Sequence, residues 1–333
     1  MQENIAVLGC GWGMALAILC RNIGHKVTLW SPFPAEIQRL RETGENPYLP
    51  GVPMPEDLHL TADIQDLSRA NFIIMAAPSY GVRETSRKLR GIVKNGVIIT
   101  VVSKGMEEAS MLRLSQVVKS ELPAARVVVL SGPSHAEEVA RGIPTSIVAA
   151  SEDREAAKVT QDLMMCDTLR IYTNPDMIGV ELGGALKNVI ALSAGISDGL
   201  GLGDNTKAAL LTRGLTEIAR LGVAMGARQE TFAGLTGIGD LVVTCCSMHS
   251  RNRRFGILVG QGVPVREALE KIGMTVEGYY AARIAHVLSL RYKTDMPISR
   301  QCYRILYEGE TPKTAIRKLM RRPKKEELET TWL

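Results

Sequence analysis

The chain has 333 residues, of which 45% are hydrophobic and 23% charged, with a formal net charge of +5. This is an ordinary globular composition, and at ~150 residues per domain it points to about two domains. The mild positive charge suits an anionic ligand but is too small to argue for nucleic acid, while no apolar run approaches the ~18 residues of a membrane span.

The first residues run straight into an apolar stretch without a signal-peptide pattern. Six cysteines stand at 10, 20, 166, 245, 246 and 302 without metal-ligand spacing. They read as reduced thiols of a cytoplasmic protein with no metal site. Much of the positive charge lies in residues 251–254 and in the tail run 317–325, the latter read as solvated surface.

Asn4-Ile-Ala-Val-Leu8 is a short β-rich run, followed by Gly9-Cys10-Gly11-Trp12-Gly13 and an amphipathic helix to about Ile23; residues 25–30 read as the next strand. Strand, glycine turn, helix and strand within ~30 residues make the βαβ unit of a dinucleotide site. Its glycines let the turn close and let backbone approach a pyrophosphate resting on the helix N-terminus. The G-x-G-x-x-G spacing would put glycine at position 14, where this chain has Met14, so one residue is missing between Gly11 and Gly13. A tight turn without ligand is the alternative. An acidic residue ending the second strand would bind a ribose 2′-hydroxyl. Here Trp30 is followed by Ser31-Pro32-Phe33, no carboxylate comes before Glu36, and no basic residue stands at the strand end. NAD and NADP are both open on these residues.

A helix over 34–43 precedes a proline-dense ordered loop at 46–55. Residues 72–76, 97–102 and 126–130 are continuous apolar runs, as expected for buried parallel strands. They end in Pro78-Ser79, in Ser103-Lys104-Gly105 and in Ser131-Gly132-Pro133-Ser134-His135, at the strand ends where open α/β sheets bind ligands. Lys104 is a functional candidate there, a surface loop lysine otherwise. Ser134 with Glu137 also fits a capping box for a helix starting near Ala136. A helix over 152–165 and a strand over 168–172 complete the sheet.

From Pro175 the strand signals stop, and helices are expected at 175–198, 204–226, 237–246, 251–260, 264–271, 276–291, 297–307 and 312–320. The fold class is therefore an α/β, Rossmann-like dinucleotide-binding domain over 1–174 followed by an all-α domain over 175–333. In the first long helix, at about 100° per residue, Leu182, Leu186, Val189, Leu192 and Ile196 gather on one apolar face. Gly183, Gly184, Lys187, Asn188, Ala191, Ala194 and Gly195 line the other. Three glycines in a helix cost roughly 1 kcal/mol each relative to alanine, and close approach of another backbone or a flat ligand would offset them. A lysine rising from such a floor is partly desolvated, which lowers its pKa; the alternative is a lysine snorkelling to water. Further on, Asp240 follows a glycine pair, where an N-cap is the common role. Ser250-Arg251-Asn252-Arg253-Arg254 opens a helix and suits a phosphate, or is a solvated basic face.

Together these residues resemble the bacterial NAD(P)-dependent glycerol-3-phosphate dehydrogenase family. The matching pieces are the glycine turn, SKG at 103–105, SGPS at 131–134, LGGALKNVIA at 182–191, GIGD ending at Asp240, SRNRRFG at 250–256 and VEG at 276–278, in family order along the whole chain. The resemblance implies interconversion of sn-glycerol 3-phosphate and dihydroxyacetone phosphate with NAD or NADP, supplying phospholipid synthesis. It implies Lys187 as the proton acceptor or donor, and a substrate site lined by Lys187, Lys104, Gly132, Ser134, Asp240, Ser250, Arg251 and Asn252. Gly9, Gly11, Trp12, Gly13, Lys104, Ala136, Arg251 and Glu277 would contact the cofactor. Two departures stand out: Gly11 runs directly into Trp12, where the family has a small polar residue before the tryptophan, and Pro32 replaces a frequent basic residue or histidine. The expected partner is a small phosphorylated substrate, with no nucleic acid and no integral membrane segment; a homodimer is left open. A dehydrogenase of another small hydroxy acid and a non-catalytic dinucleotide-binding regulator are the rival readings.

Overall fold

The computed structural model describes residues 2–324 and 326–327. Lys325, in the basic tail run, and residues 328–333 of the range expected for the helical domain lie outside them.

The first half of the chain alternates β1 (Asn4–Leu8), α1 (Trp12–Ile23), β2 (Lys26–Trp30), α2 (Pro34–Thr43), β3 (His59–Thr61), β4 (Phe72–Met75), α3 (Val82–Lys88) and β5 (Ile98–Val101). A small hairpin, β6 (Met106–Glu107) and β7 (Leu112–Arg113), leads into α4 (Leu114–Glu121), β8 (Arg126–Ser131), α5 (Ala136–Ala140), β9 (Thr145–Ala150), α6 (Arg154–Met164) and β10 (Leu169–Asn174). Eight strands form one sheet in the order β10-β9-β8-β5-β4-β1-β2-β3. The continuous apolar runs follow from burial on both faces. In β1, Ile5 and Val7 enter a core shared with α1, while Ala6 and Leu8 enter the core on the opposite face with α3 and α4.

The sheet corrects the sequence reading at both edges: β3, which that reading left out, pairs parallel with β2 at one of them. β9 lies between β8 and β10, and it pairs with β8 antiparallel and with β10 parallel. The last two strands therefore run against the other six. Thr-Ser-Ile-Val-Ala-Ala carries too short a β-branched run to stand out in the sequence.

The second half is helical: α7 (Met177–Gly199), α8 (Asp204–Ala224), α9 (Asp240–Cys246), α10 (Arg251–Gly260), α11 (Val265–Ile272), α12 (Glu277–Arg291), α13 (Pro297–Tyr307) and α14 (Pro312–Met320). α7 is its axis. The two-faced reading of this helix gives way, because residues 179–197 are buried on every side. α7 has the length and hydropathy of a membrane span, yet 94% of that window is buried inside the fold. An added Cβ at Gly195 would overlap the Arg253 carbonyl oxygen, and one at Gly256 the Leu192 carbonyl oxygen. α7 and α10 thus cross backbone to backbone, and that close approach offsets the helix glycines.

The start of α7 is fastened to both halves of the chain. Asp176 accepts hydrogen bonds from the amides of Gly179 and Arg228, both at 2.9 Å, and from Thr231 Oγ1 at 2.6 Å. Glu181 accepts from the Ser115 amide at 2.8 Å, from Ser115 Oγ at 2.6 Å and from Arg113. These bonds hold α7 across the C-terminal edge of the sheet.

Candidate active site

Three elements bring two amines to one carboxylate. Asp240 is the first residue of α9, preceded by a wide helical turn over Leu235–Gly239, with Gly239 as the cap residue. Gly237 is required in that turn because a Cβ there would overlap the Phe232 carbonyl. Asp240 is fully buried, and its side chain faces two lysines instead of capping the helix. Lys187 Nζ, from α7, donates to Asp240 Oδ1 and to Thr244 Oγ1 at 2.7 Å. Lys104 Nζ, from the end of β5, donates to Asp240 Oδ2 at 2.9 Å, to the Gly132 carbonyl at 2.8 Å and to Ser134 Oγ at 3.2 Å.

Lys187 is only 5% exposed, so its amine does not snorkel to water. Burial pushes the ammonium down to about 7; Asp240 pulls it back up and the charge of Lys104 lowers it further. A buried amine titrating near neutrality can take or give a proton. His135 stands beside this pair: its Nε2 is buried without a partner, and burial, then Lys187 and Lys104, lower its pKa.

Ser134 departs from the capping reading. Its Oγ donates to the Gly132 carbonyl at 2.9 Å and takes the Lys104 bond, while α5 is capped by no side chain. Gly132 sits at φ +136°, and a Cβ there would lie 3.0 Å from the Ile147 backbone. Glycine therefore shapes the carbonyl that Lys104 uses.

At the start of α10 the side chains of Ser250, Asn252 and Arg253 are bonded within the fold and that of Arg251 is not. Ser250 Oγ caps the helix by accepting from the Arg253 amide at 3.2 Å. Asn252 Nδ2 donates to Asn188 Oδ1 at 2.9 Å, and its Oδ1 accepts from the Gly278 amide at 2.8 Å. One amide thereby ties α7, α10 and α12 together. Arg253 is paired with Asp198 at 2.8 Å and donates to the Cys246 carbonyl at 2.7 Å. Among the described residues, the Arg251 guanidinium makes no hydrogen bond or ion pair; burial lowers its pKa, against Glu277 and Glu137. Glu277, the first residue of α12, accepts from Ser79 Oγ at 2.9 Å, and burial raises its carboxyl.

The glycine turn fits a dinucleotide despite its missing residue. Gly9 is at φ +116°, where a Cβ would lie 2.7 Å from the Ala76 carbonyl oxygen; at Gly13 it would meet Ala76 Cβ and Val7 Cγ1 at 3.0 Å. Gly13 thus takes the helix-to-strand packing role of the third glycine, with Met14 buried behind it. A Cβ on Gly11 would meet nothing within 4 Å, and no side chain caps α1. The first amides of α1 are left for an anionic group. Trp12 opens α1 half-buried, and Ala136 opens α5, which packs on α1.

The structure therefore joins Lys104, Gly132, Ser134, Lys187 and Asp240 by direct hydrogen bonds, and sets Arg251 beside Glu277. It gives the side chains of Ser250 and Asn252 partners within the protein. Sequence reasoning passed over Thr244, whose position one turn after Asp240 on the same helix is a usable signal. It placed Ser79 at a strand end without giving it a partner, and it passed over Asn46, whose Nδ2 donates to the Cys10 carbonyl at 2.6 Å.

Comparison with known proteins gives a consistent result. The chain matches the family model described as NAD-dependent glycerol-3-phosphate dehydrogenase N-terminus over residues 4–157, and the corresponding C-terminus model over residues 176–317. It is 51% identical to a glycerol-3-phosphate dehydrogenase [NAD(P)+] of Desulfitobacterium hafniense, covering 98% of this chain and 94% of that one. It is also 51% identical to one of Moorella thermoacetica, over 99% of both chains. The crystal structure of a glycerol-3-phosphate dehydrogenase from Coxiella burnetii superposes with a TM-score of 0.93 at 40% identity, covering 96% of this chain and 99% of that one.

Proposed function

The chain belongs to the NAD-dependent glycerol-3-phosphate dehydrogenase family, and from that premise we propose that Lys187 is its acid–base group. The enzyme interconverts sn-glycerol 3-phosphate and dihydroxyacetone phosphate with NAD or NADP, supplying glycerol 3-phosphate for phospholipid synthesis. When bound, the nicotinamide cofactor accepts or supplies the hydride at substrate C2.

The chain's own residues handle the proton and the charge. In the oxidative direction the neutral Lys187 amine accepts the proton of the C2 hydroxyl; in reduction the ammonium returns it. Asp240 and Thr244 hold that amine in place, and Lys104, fixed by Gly132 and Ser134, lines the substrate site and favours the neutral form. The substrate phosphate binds Arg251 and the α10 N-terminus, where Ser250 and Asn252 shape the backbone. Gly9, Gly11 and Gly13 place the α1 amides under the pyrophosphate, with Trp12, Lys104, Ala136, Arg251 and Glu277 along the cofactor. The observation that carries this reading is the buried Lys187 amine, pushed down to about 7.

The same reading divides the chain at residue 174, between the end of β10 at Asn174 and the start of α7 at Met177. Six free cysteines favour the cytoplasm, and a homodimer is the assembly to be tested by sedimentation. The decisive experiment follows loss of reduced-nicotinamide absorbance on adding dihydroxyacetone phosphate. Lys187→Ala is expected to keep nucleotide affinity and to lose turnover by about 10²–10⁴-fold. Near-normal turnover in that variant removes Lys187 from the mechanism.

A further inference from the structure

We propose that Glu36 makes this enzyme select NAD over NADP, by placing a carboxylate at the end of β2 where the adenosine ribose meets the sheet. The inference rests on the dinucleotide reading of the glycine turn given above. In sheets of this kind the ribose lies beside the first glycine turn at the end of the second strand, and an acidic residue there accepts from the 2′-hydroxyl. No acid directly follows Trp30 in this chain. The structure supplies one from further on. Ser31, only 1% exposed, donates its hydroxyl to the Glu36 carboxylate. The Phe33 amide donates to the same Ser31 Oγ at 3.3 Å, which fixes the turn between β2 and α2. Glu36 lies in the first turn of α2, so the helix carries its carboxylate back over the strand end.

The glycine turn adjoins the same strand end, where the Gly9 amide donates to the Trp30 carbonyl at 2.9 Å. The Cys10 thiol is pushed up by burial first and then by Glu36, with Ser31 acting the other way. Glu36 therefore stands between the Gly9–Gly11 turn and the end of β2, the two edges of a ribose subsite. A ribose bearing free 2′- and 3′-hydroxyls can donate to this carboxylate. A 2′-phosphate brings about −1.5 to −2 charges against it. Residues 31–38 contain no lysine or arginine. Arg39, exposed one turn further along α2, is the first cation along the chain after β2.

The test measures binding and turnover on the full-length protein. ADP-ribose and 2′-phospho-ADP-ribose are titrated by calorimetry, and kcat/KM is measured with NADH and NADPH. The wild type is expected to bind ADP-ribose about tenfold or more tightly than its 2′-phosphorylated form, since like-charge contacts are strongly unfavourable. Glu36→Gln keeps an acceptor for Ser31 and is expected to close most of that gap, mainly by improving 2′-phospho-ADP-ribose. Equal or tighter wild-type binding of the 2′-phosphorylated ligand overturns the proposal and hands the subsite to Arg39. An unchanged ratio in Glu36→Gln overturns it as well. Failure of both ligands to bind would sink the dinucleotide reading and this inference with it.

Discussion

Thr244 stands one helical turn beyond Asp240 on α9, and the two side chains hold the same amine. The Thr244 hydroxyl donates to the Asp240 carbonyl at 2.6 Å, so its proton is committed and its oxygen lone pairs face Lys187 at 2.7 Å. Thr244 is a positioning residue that stabilises the ammonium form. Thr244→Val keeps the shape and removes the acceptor. A hydrogen bond to a charged group is worth ~1.5–3 kcal/mol, so kcat should fall about tenfold or more. The kinetic pKa should move down, and Thr244→Ser should restore both. A pH profile unmoved by Thr244→Val would leave Thr244 with packing alone.

Lys187 sets the sign of the pH dependence. Its amine titrates at about 7 in the fold and at 10.5 when unperturbed. The rate of glycerol 3-phosphate oxidation should rise with pH through about 7 and level off above it, because only the neutral amine accepts a proton. The reductive rate should fall across the same range. Stability follows the same group: between about 7 and 10.5 the unfolded chain binds more protons than the folded one, so this contribution to stability increases with pH. Lys187→Met removes that dependence. Thermal melts of the two proteins from pH 7 to 10 read the difference directly.

Much of this arrangement was legible in the residues. The continuous apolar runs located the strands β4, β5 and β8, because burial on both faces leaves an unbroken hydrophobic signature, and shorter runs placed β1, β2 and β10. Helix starts at Asp204, Arg251, Pro297 and Pro312 fell where cap and proline signals put them. What the sequence hid was whatever depends on a return in space. β9 has only a short β-branched run and takes its place from its neighbours. Glu36 reaches the end of β2 only after a turn of helix. The two faces assigned to α7 were a period read on a helix that packing surrounds completely, so hydrophobicity alone could not say which side held chemistry. Lys187 emerged from its glycine neighbours, but the partner Thr244 needed α9 in place.

The glycines separate by what stands above them. Gly195 faces the Arg253 carbonyl across the α7–α10 crossing, and backbone cannot move aside cheaply. Gly195→Ala should destabilise the protein by about 1–3 kcal/mol or more, read as a lower denaturant midpoint. Gly11 has φ −75° and open space around an added Cβ. Gly11→Ala should leave the denaturation curve in place and weaken nucleotide binding, because its methyl group occupies the space the pyrophosphate uses. If Gly11→Ala bound nucleotide normally, the turn would not be the phosphate cradle.

Arg251 and Ser250 are adjacent, yet their losses should look different. Ser250 caps α10 through the Arg253 amide, so Ser250→Ala should cost ~1 kcal/mol of stability. Arg251 has no hydrogen bond or ion pair among the described residues, and burial disfavours its charge. Removing it should leave the melting temperature unchanged or slightly higher. Its contribution appears when a phosphate dianion binds, where a charge-assisted pair is worth ~1.5–3 kcal/mol. Arg251→Ala should therefore raise the KM for dihydroxyacetone phosphate about 10- to 100-fold, by the same free energy. Arg251→Lys should recover only part of this, because a point charge cannot reproduce the planar two-pronged contact. A KM unchanged in Arg251→Ala would place the phosphate on other residues and leave α10 as a purely structural helix.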